Sequence, residues 1–227
     1  MHPVHAVMAV KHTDRAKSRL AEVLTPAQRG ALVLAMVTDT LAAASAVDVI
    51  AGITVVTPDL VIATRAREFG AHVVAEPATP TPGVDALNSA LIAGARTVRE
   101  RFGPTRLLAL QADLPALRPN ELADVIARST AHERVVVIDH TGTGTAALLV
   151  GDPVADLDPR FGPSSADAHR DSGAVSLGGS MPGLRHDVDT PADLTAVAAL
   201  GVGPHTAAAL TEFGYPTQRS TPISAVC

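Results

Sequence analysis

The chain has 227 residues, a formal net charge of −5 and an apolar fraction of 47%, yet it holds only four Phe, one Tyr and no Trp. A core must be assembled from Ala, Val and Leu, aromatic platforms for stacking nucleic-acid bases are lacking, and the charge gives no basic footprint for a polyanion. The one cysteine, Cys227, excludes a disulfide framework and a Cys-based zinc site, and no run reaches the roughly 18 apolar residues of a membrane span, so a cytoplasmic protein working without nucleic acid or membrane is expected.

In chain order, Val4 to Val10 is a short apolar strand that ends at Lys11, and a loop to Arg19 carries four cations. Thr25-Pro26 then opens a long Ala/Leu/Val helix to about Ala46. Val49 to Thr57 is a second strand stopped by Pro58, and Asp59 to Gly70 a helix closed by glycine. Ala71 to Ala75 is a third strand. Pro77, Pro80 and Pro82 keep the next segment extended and unpaired, as a surface loop. A helix over Val84 to Arg101, a strand over Arg106 to Gln111, a helix over Pro119 to Thr130 and a strand over Arg134 to Asp139 continue the alternation. Such a pattern predicts an α/β fold, a mostly parallel sheet covered by helices on both faces.

From Thr141 the pattern changes to a Gly/Thr turn, a strand over Thr145 to Val150, a Pro/Asp/Gly loop, a short helix after Gly162 and strands near Val175 and His186. This is the expected place of a small antiparallel excursion. One domain is expected over residues 1–200, followed by a C-terminal extension over 201–227, helical at His205 to Phe213 and then loosely ordered.

Ligands of open parallel sheets bind beyond the carboxyl ends of the strands, which singles out polar residues directly after apolar runs. Lys11, Arg15, Lys17 and Arg19 follow the first strand and suit a triphosphate, although their spacing also fits a solvated helix face. Asp113 follows the strand Leu107 to Leu110 and is a hard oxygen donor suited to Mg²⁺, or equally a turn-forming aspartate. In an extended segment Asp187 and Asp189 face the same side, and their repulsion is easier to tolerate beside a cation. Thr190, Pro191 and Asp193 read in addition as the cap of the next helix. Thr141 to Thr145 and Phe161 to Ser165 offer hydroxyls and unencumbered N–H groups for a phosphate, in a composition that also makes plain turns. The nine histidines lack zinc spacing and read mostly as surface residues, and neither a nucleophile elbow nor a P-loop is present.

Taken as an ordered set, Val10-Lys11, Arg15 to Leu20, Leu87 to Leu91, Asp113-Leu114-Pro115, Gly142 to Thr145, Phe161 to Ser165 and Asp187 to Pro191 resemble the 2-phospho-L-lactate or phosphoenolpyruvate guanylyltransferases of coenzyme F420 biosynthesis. The resemblance spans about residues 4 to 200. It implies a single-domain, Rossmann-like nucleotidyltransferase fold and attack on the α-phosphate of GTP by the phosphate of phosphoenolpyruvate or 2-phospho-L-lactate, with release of pyrophosphate. Of these acceptors, phosphoenolpyruvate is preferred. By the same resemblance Lys11, Lys17 and Arg19 hold the triphosphate, and Leu87 and Asn88 line the nucleoside pocket. Asp113 and Asp189 bind Mg²⁺ ahead of Asp187, and Thr145, Gly162 and Ser165 hold the acceptor phosphate. It leaves room for a homodimer. The family's proline before Val10-Lys11 is here Ala9, which removes rigidity but no chemical group. Two other readings stay open, a nucleotidyltransferase acting on the molybdenum cofactor or a sugar phosphate, and a non-catalytic nucleotide-binding protein. The second does not need a metal pair.

Overall fold

The computed structural model describes residues 3–12 and 17–215. Arg15 and Ala16 of the basic segment, and the tail beyond 215 with Cys227, lie outside the described residues.

Strands β1 (Val4–Ala9), β2 (Ile50–Val56), β3 (His72–Val74), β4 (Arg106–Leu110), β5 (Arg134–Ile138), β6 (Thr145–Val150) and β7 (Val175–Ser176) form one seven-stranded sheet in the order β3-β2-β1-β4-β6-β5-β7. β1 pairs in parallel with both β2 and β4, β2 with β3, and β5 with β7. β6 runs antiparallel between β4 and β5, which is the excursion the Gly/Thr turn predicts. His186 to Asp189, expected as a strand, joins no sheet. Asp189 N–H and the following Thr190 N–H donate to Asp193 in the cap of the next helix instead of to a ladder.

The helices are α1 (Pro26–Ser45), α2 (Leu60–Glu68), α3 (Ala86–Phe102), α4 (Pro119–Arg128), α5 (Ser165–Asp171), α6 (Pro191–Leu200) and α7 (Pro204–Glu212). α1 starts at a reciprocal cap in which the Thr25 hydroxyl accepts from Gln28 N–H while the Gln28 side chain accepts from Thr25 N–H. α7, at the start of the expected extension, packs on α1, and its first turn donates to the buried Asp39 carboxylate through His205 N–H (3.1 Å) and Thr206 N–H (2.7 Å). No described helix is long and apolar enough to cross a membrane.

Alternation along β1 divides the core in two. Val4, Ala6 and Met8 join one layer with Leu32, Met36 and Leu41 of α1, while Val7 joins the opposite layer with Leu91 and Val98 of α3. His5 faces this second side. Its imidazole is buried, hydrogen-bonded to the Thr54 hydroxyl (2.9 Å) and stacked on Phe102. The histidines read mostly as surface residues, and His5 departs from that reading because the period of two in β1 turns it inward.

α3 approaches the sheet at Gly94, where an added Cβ would lie 2.7 Å from methyl carbons of both Val7 and Val56. Those stiff, buried side chains cannot yield cheaply. Overpacking of this kind costs about 1–3 kcal/mol, against a helix-propensity gain of about 1 kcal/mol for removing glycine. Gly94→Ala is therefore expected to lower the urea midpoint, and a raised midpoint would show that the contact is loose.

Candidate active site

The chain leaves β1 for β2 on one side of the sheet and returns to β4 on the other, so a crevice opens between the carboxyl ends of β1 and β4. A cleft of ≈ 520 Å³ lies there. Lys11 and His12 from the end of β1 form one wall and Gln111 and Asp113 from the end of β4 the other, while Val33 and Val37 of α1 supply an apolar side.

Lys17 caps the 3₁₀ turn Ser18–Glu22 in a left-handed conformation, φ 55° and ψ 46°, unusual for a residue with a Cβ. Its ammonium is held between two carboxylates. It donates to Asp113 and, over 2.8 Å, to Asp189 Oδ1. Burial opposes its charge, but Asp113 and Asp189 together outweigh burial and hold its pKa above the ordinary lysine range. Asp113 is fixed from behind, because Leu114 N–H donates to the buried Thr40 hydroxyl of α1. Asp189 is fixed by its own N–H, which donates to Asp193 in the cap of α6 (3.0 Å).

Asp187, beside them, is less exposed than Asp189. One carboxylate oxygen of each of Asp113, Asp187 and Asp189 lies within 4.8 Å of the others, and Oδ1 of Asp187 is buried without a hydrogen-bond partner. Burial, then the like charges of Asp113 and Asp189, push its pKa up to about 7. The nearest opposite group to that oxygen is His140 Nδ1 at 3.8 Å, beyond hydrogen-bond reach, and a carboxylate oxygen so placed beside two further carboxylates is what a hard divalent cation would satisfy. Sequence reasoning ranked Asp187 behind Asp189, because spacing shows a shared face and not which of the two side chains is covered.

Among the expected nucleotide contacts, Lys11 and Leu87 line the cleft with Lys17. Arg19 is exposed on its 3₁₀ turn and is not among the cleft-lining residues. Asn88 is buried and turned elsewhere: its Oδ1 accepts from Phe161 N–H and its Nδ2 donates to Phe161 C=O, both at 2.9 Å, with a further contact to Asp85. The side chain ties α3 to the Phe161 turn.

The two Gly/Ser/Thr turns do come together, since Ala166 N–H donates to Thr143 C=O (3.0 Å). That bond, with Ser165 N–H donating to Gly162 C=O (3.1 Å), occupies N–H groups that sequence reasoning left unencumbered. One of these bonds joins the two turns and the other is internal to the second. Of Thr145, Gly162 and Ser165, only Gly162 is exposed. Thr145 stands at the start of β6 beside the end of β4, and its carbonyl accepts from the side chain of the cleft residue Gln111 (3.5 Å).

Behind Thr145 lies His169, 0% exposed and also missed as a core residue, because its position on the inner face of a two-turn helix leaves no periodicity to read. Burial, then the positive Arg134, lowers its pKa to about 4, and burial with the neighbouring His72 lowers that of His5 to about 4. In the unfolded chain both titrate near 6.5. Between these values the unfolded state binds more protons, so the stabilisation is complete above pH 6.5 and is lost as pH falls toward 4, by up to roughly 3 kcal/mol for each histidine. The melting temperature should accordingly drop between pH 6.5 and 4.5. A drop that is unchanged in a His5→Asn variant would remove His5 from the effect.

His140, His186 and Asp193 also gather, with ligand atoms within 4.8 Å of one another, although the histidines stand far apart in the sequence. The two imidazoles stack at 3.8 Å with planes 6° apart. Parallel rings aim their nitrogens side by side, not at a common point, so the arrangement suits packing and the contact of His140 Nε2 with Asp193 (3.2 Å) better than chelation.

A family model described as "Guanylyl transferase CofC like" matches residues 4–221. A phosphoenolpyruvate guanylyltransferase of Nocardia farcinica is 54% identical over 226 residues, covering 100% of this chain and 99% of that protein. Phosphoenolpyruvate guanylyltransferase 1 of Rhodococcus jostii is 51% identical, covering 91% and 92%. Among solved structures, a cytidylyltransferase from Leptospira borgpetersenii aligns with a TM-score of 0.59 at 11% identity, covering 97% of this chain and 99% of that one. A nucleotidyl transferase from Methanothermobacter aligns with a TM-score of 0.54 at 18% identity, covering 86% and 95%. These two establish the fold and nothing finer.

Proposed function

The chain belongs to the CofC-like guanylyl transferase family, and from that premise we propose that it transfers GMP from GTP to phosphoenolpyruvate in the cytoplasm, an early step toward coenzyme F420. The observation that carries this reading is the cluster of Asp113, Asp187 and Asp189 beside the ends of β1 and β4, with the Lys17 ammonium paired to Asp113 and Asp189. A phosphate oxygen of the acceptor attacks the α-phosphorus of GTP, the bond to the bridging oxygen breaks, and pyrophosphate leaves. No protein nucleophile is needed, since the acceptor phosphate is already an anion at neutral pH.

The difficulty is electrostatic, because two polyanions must meet in line. Lys11 and Lys17, which line the cleft, would hold the triphosphate, and Arg19 serves only if its turn moves inward. Leu87, with Val33 and Val37, gives the nucleoside an apolar wall. Asp113, Asp187 and Asp189 would hold Mg²⁺, which when bound neutralises phosphate charge. Thr145, Gly162 and Ser165 receive the acceptor phosphate by resemblance, from the turn that adjoins Gln111. 2-Phospho-L-lactate is the alternative acceptor.

Pyrophosphate release, measured with each nucleoside triphosphate against a panel of phosphorylated acids and sugars, tests the reading. Turnover is expected with GTP and phosphoenolpyruvate, and turnover with a sugar phosphate alone would contradict it.

A further inference from the structure

Asn88 grips Phe161 at the start of the Phe161–Ser165 turn and His169 grips Arg160 just before it, yet only His169 also reaches a hydroxyl of the expected acceptor site. Its Nε2 lies 2.9 Å from the backbone N–H of Arg160, and its Nδ1 lies 2.9 Å from Oγ1 of Thr145. A backbone N–H can only donate, so Nε2 must be the bare nitrogen. A neutral imidazole carries one proton, and that proton is therefore on Nδ1. Burial keeps the ring neutral.

The consequence falls on Thr145. Facing an N–H, its oxygen accepts, and its own proton cannot be spent on the histidine. Among the described residues no other partner of this hydroxyl is present, which leaves a nearly buried donor with nothing to donate to. Such a donor is costly unless a ligand takes it.

We infer that His169 is a positioning residue for the acceptor: by fixing its own tautomer against Arg160 N–H, it turns the Thr145 hydroxyl into an obligate donor to the acceptor phosphate. Asn88, holding Phe161 N–H and C=O from the other side, keeps Arg160 in reach of the imidazole. The inference rests on the reading of Thr145 as an acceptor contact.

Amide substitutions separate the two nitrogens. Asn places an N–H where Nδ1 stands and keeps the donor to Thr145. Gln places an oxygen where Nε2 stands and keeps the acceptor for Arg160, but abandons Thr145. Steady-state constants are measured for each substrate, with phosphoenolpyruvate binding followed by calorimetry and folding by thermal melting.

A hydrogen bond to a charged group gives the scale of effect, so Thr145→Val should raise KM for phosphoenolpyruvate about 10- to 100-fold with KM for GTP unchanged. His169→Gln should approach that loss, and adding Thr145→Val to it should cost little more. His169→Asn should stay near wild type. Equal damage from Asn and Gln, or equal shifts in the GTP and phosphoenolpyruvate constants, would mean a merely structural histidine and overturn the inference while leaving the acceptor site in place. A Thr145→Val variant that binds phosphoenolpyruvate normally would overturn the acceptor reading and the inference with it. Should the Gln variant fail to fold, His169→Asn decides: a KM for phosphoenolpyruvate near that of wild type supports the inference, and a rise as large as that of Thr145→Val overturns it.

Discussion

Asp113→Asn is expected to lower kcat for guanylyl transfer by about 10³-fold or more, roughly 4 kcal/mol in the transition state, while the protein stays folded. Asp113 is the one carboxylate of the cluster that extends directly from a central strand, and it contacts Lys17 and lies in reach of both Asp187 and Asp189. An amide keeps its shape and its approximate volume but removes the charge on which a cation between two anionic substrates would depend. The melting temperature should move by only a few degrees, because Leu114 remains anchored on Thr40 and Lys17 keeps Asp189. Normal turnover in this variant would take Asp113 out of the mechanism, and loss of folding would make its role structural.

Lys17→Met is expected to reduce turnover by roughly 10²–10³-fold, the usual scale for removing one preorganised group aimed at developing phosphate charge. It should have a second, opposite signature. The ammonium now neutralises Asp113 and Asp189, and its removal leaves three neighbouring carboxylates with no counter-charge from Lys17. Breaking a buried pair from one side is costly, although Asp189 is half exposed and its share is screened. The variant should therefore melt lower than wild type in a chelator and regain more than wild type when MgCl₂ is added, since binding to the folded state alone stabilises it. A gain no larger than that of wild type would separate Lys17 from the carboxylate cluster.

The sheet was legible in the sequence because its signals are local: β-branched runs stopped by Pro58, the Thr25 and Thr190 caps, and the Gly/Thr turn that reverses β6. The ends of β1 and β4 marked Lys11 and Asp113 for the same reason, as polar residues directly after apolar runs. What stayed hidden depends on tertiary direction. Nothing in the spacing of Asp187 and Asp189 tells which carboxylate is covered, nor does Asn88 at the start of α3 reveal that its amide is spent on Phe161 across 73 residues. His5 was open to a period-two reading, whereas the burial of His169 follows from how a seven-residue helix docks against Phe161 and Thr145.

The most direct test of the central claim is a Mn²⁺ titration followed by electron paramagnetic resonance, comparing wild type with Asp113→Asn. The account predicts saturable binding to wild type that tightens when GTP is added and is largely lost in the variant. Equal Mn²⁺ binding by the two proteins, with and without GTP, would contradict it.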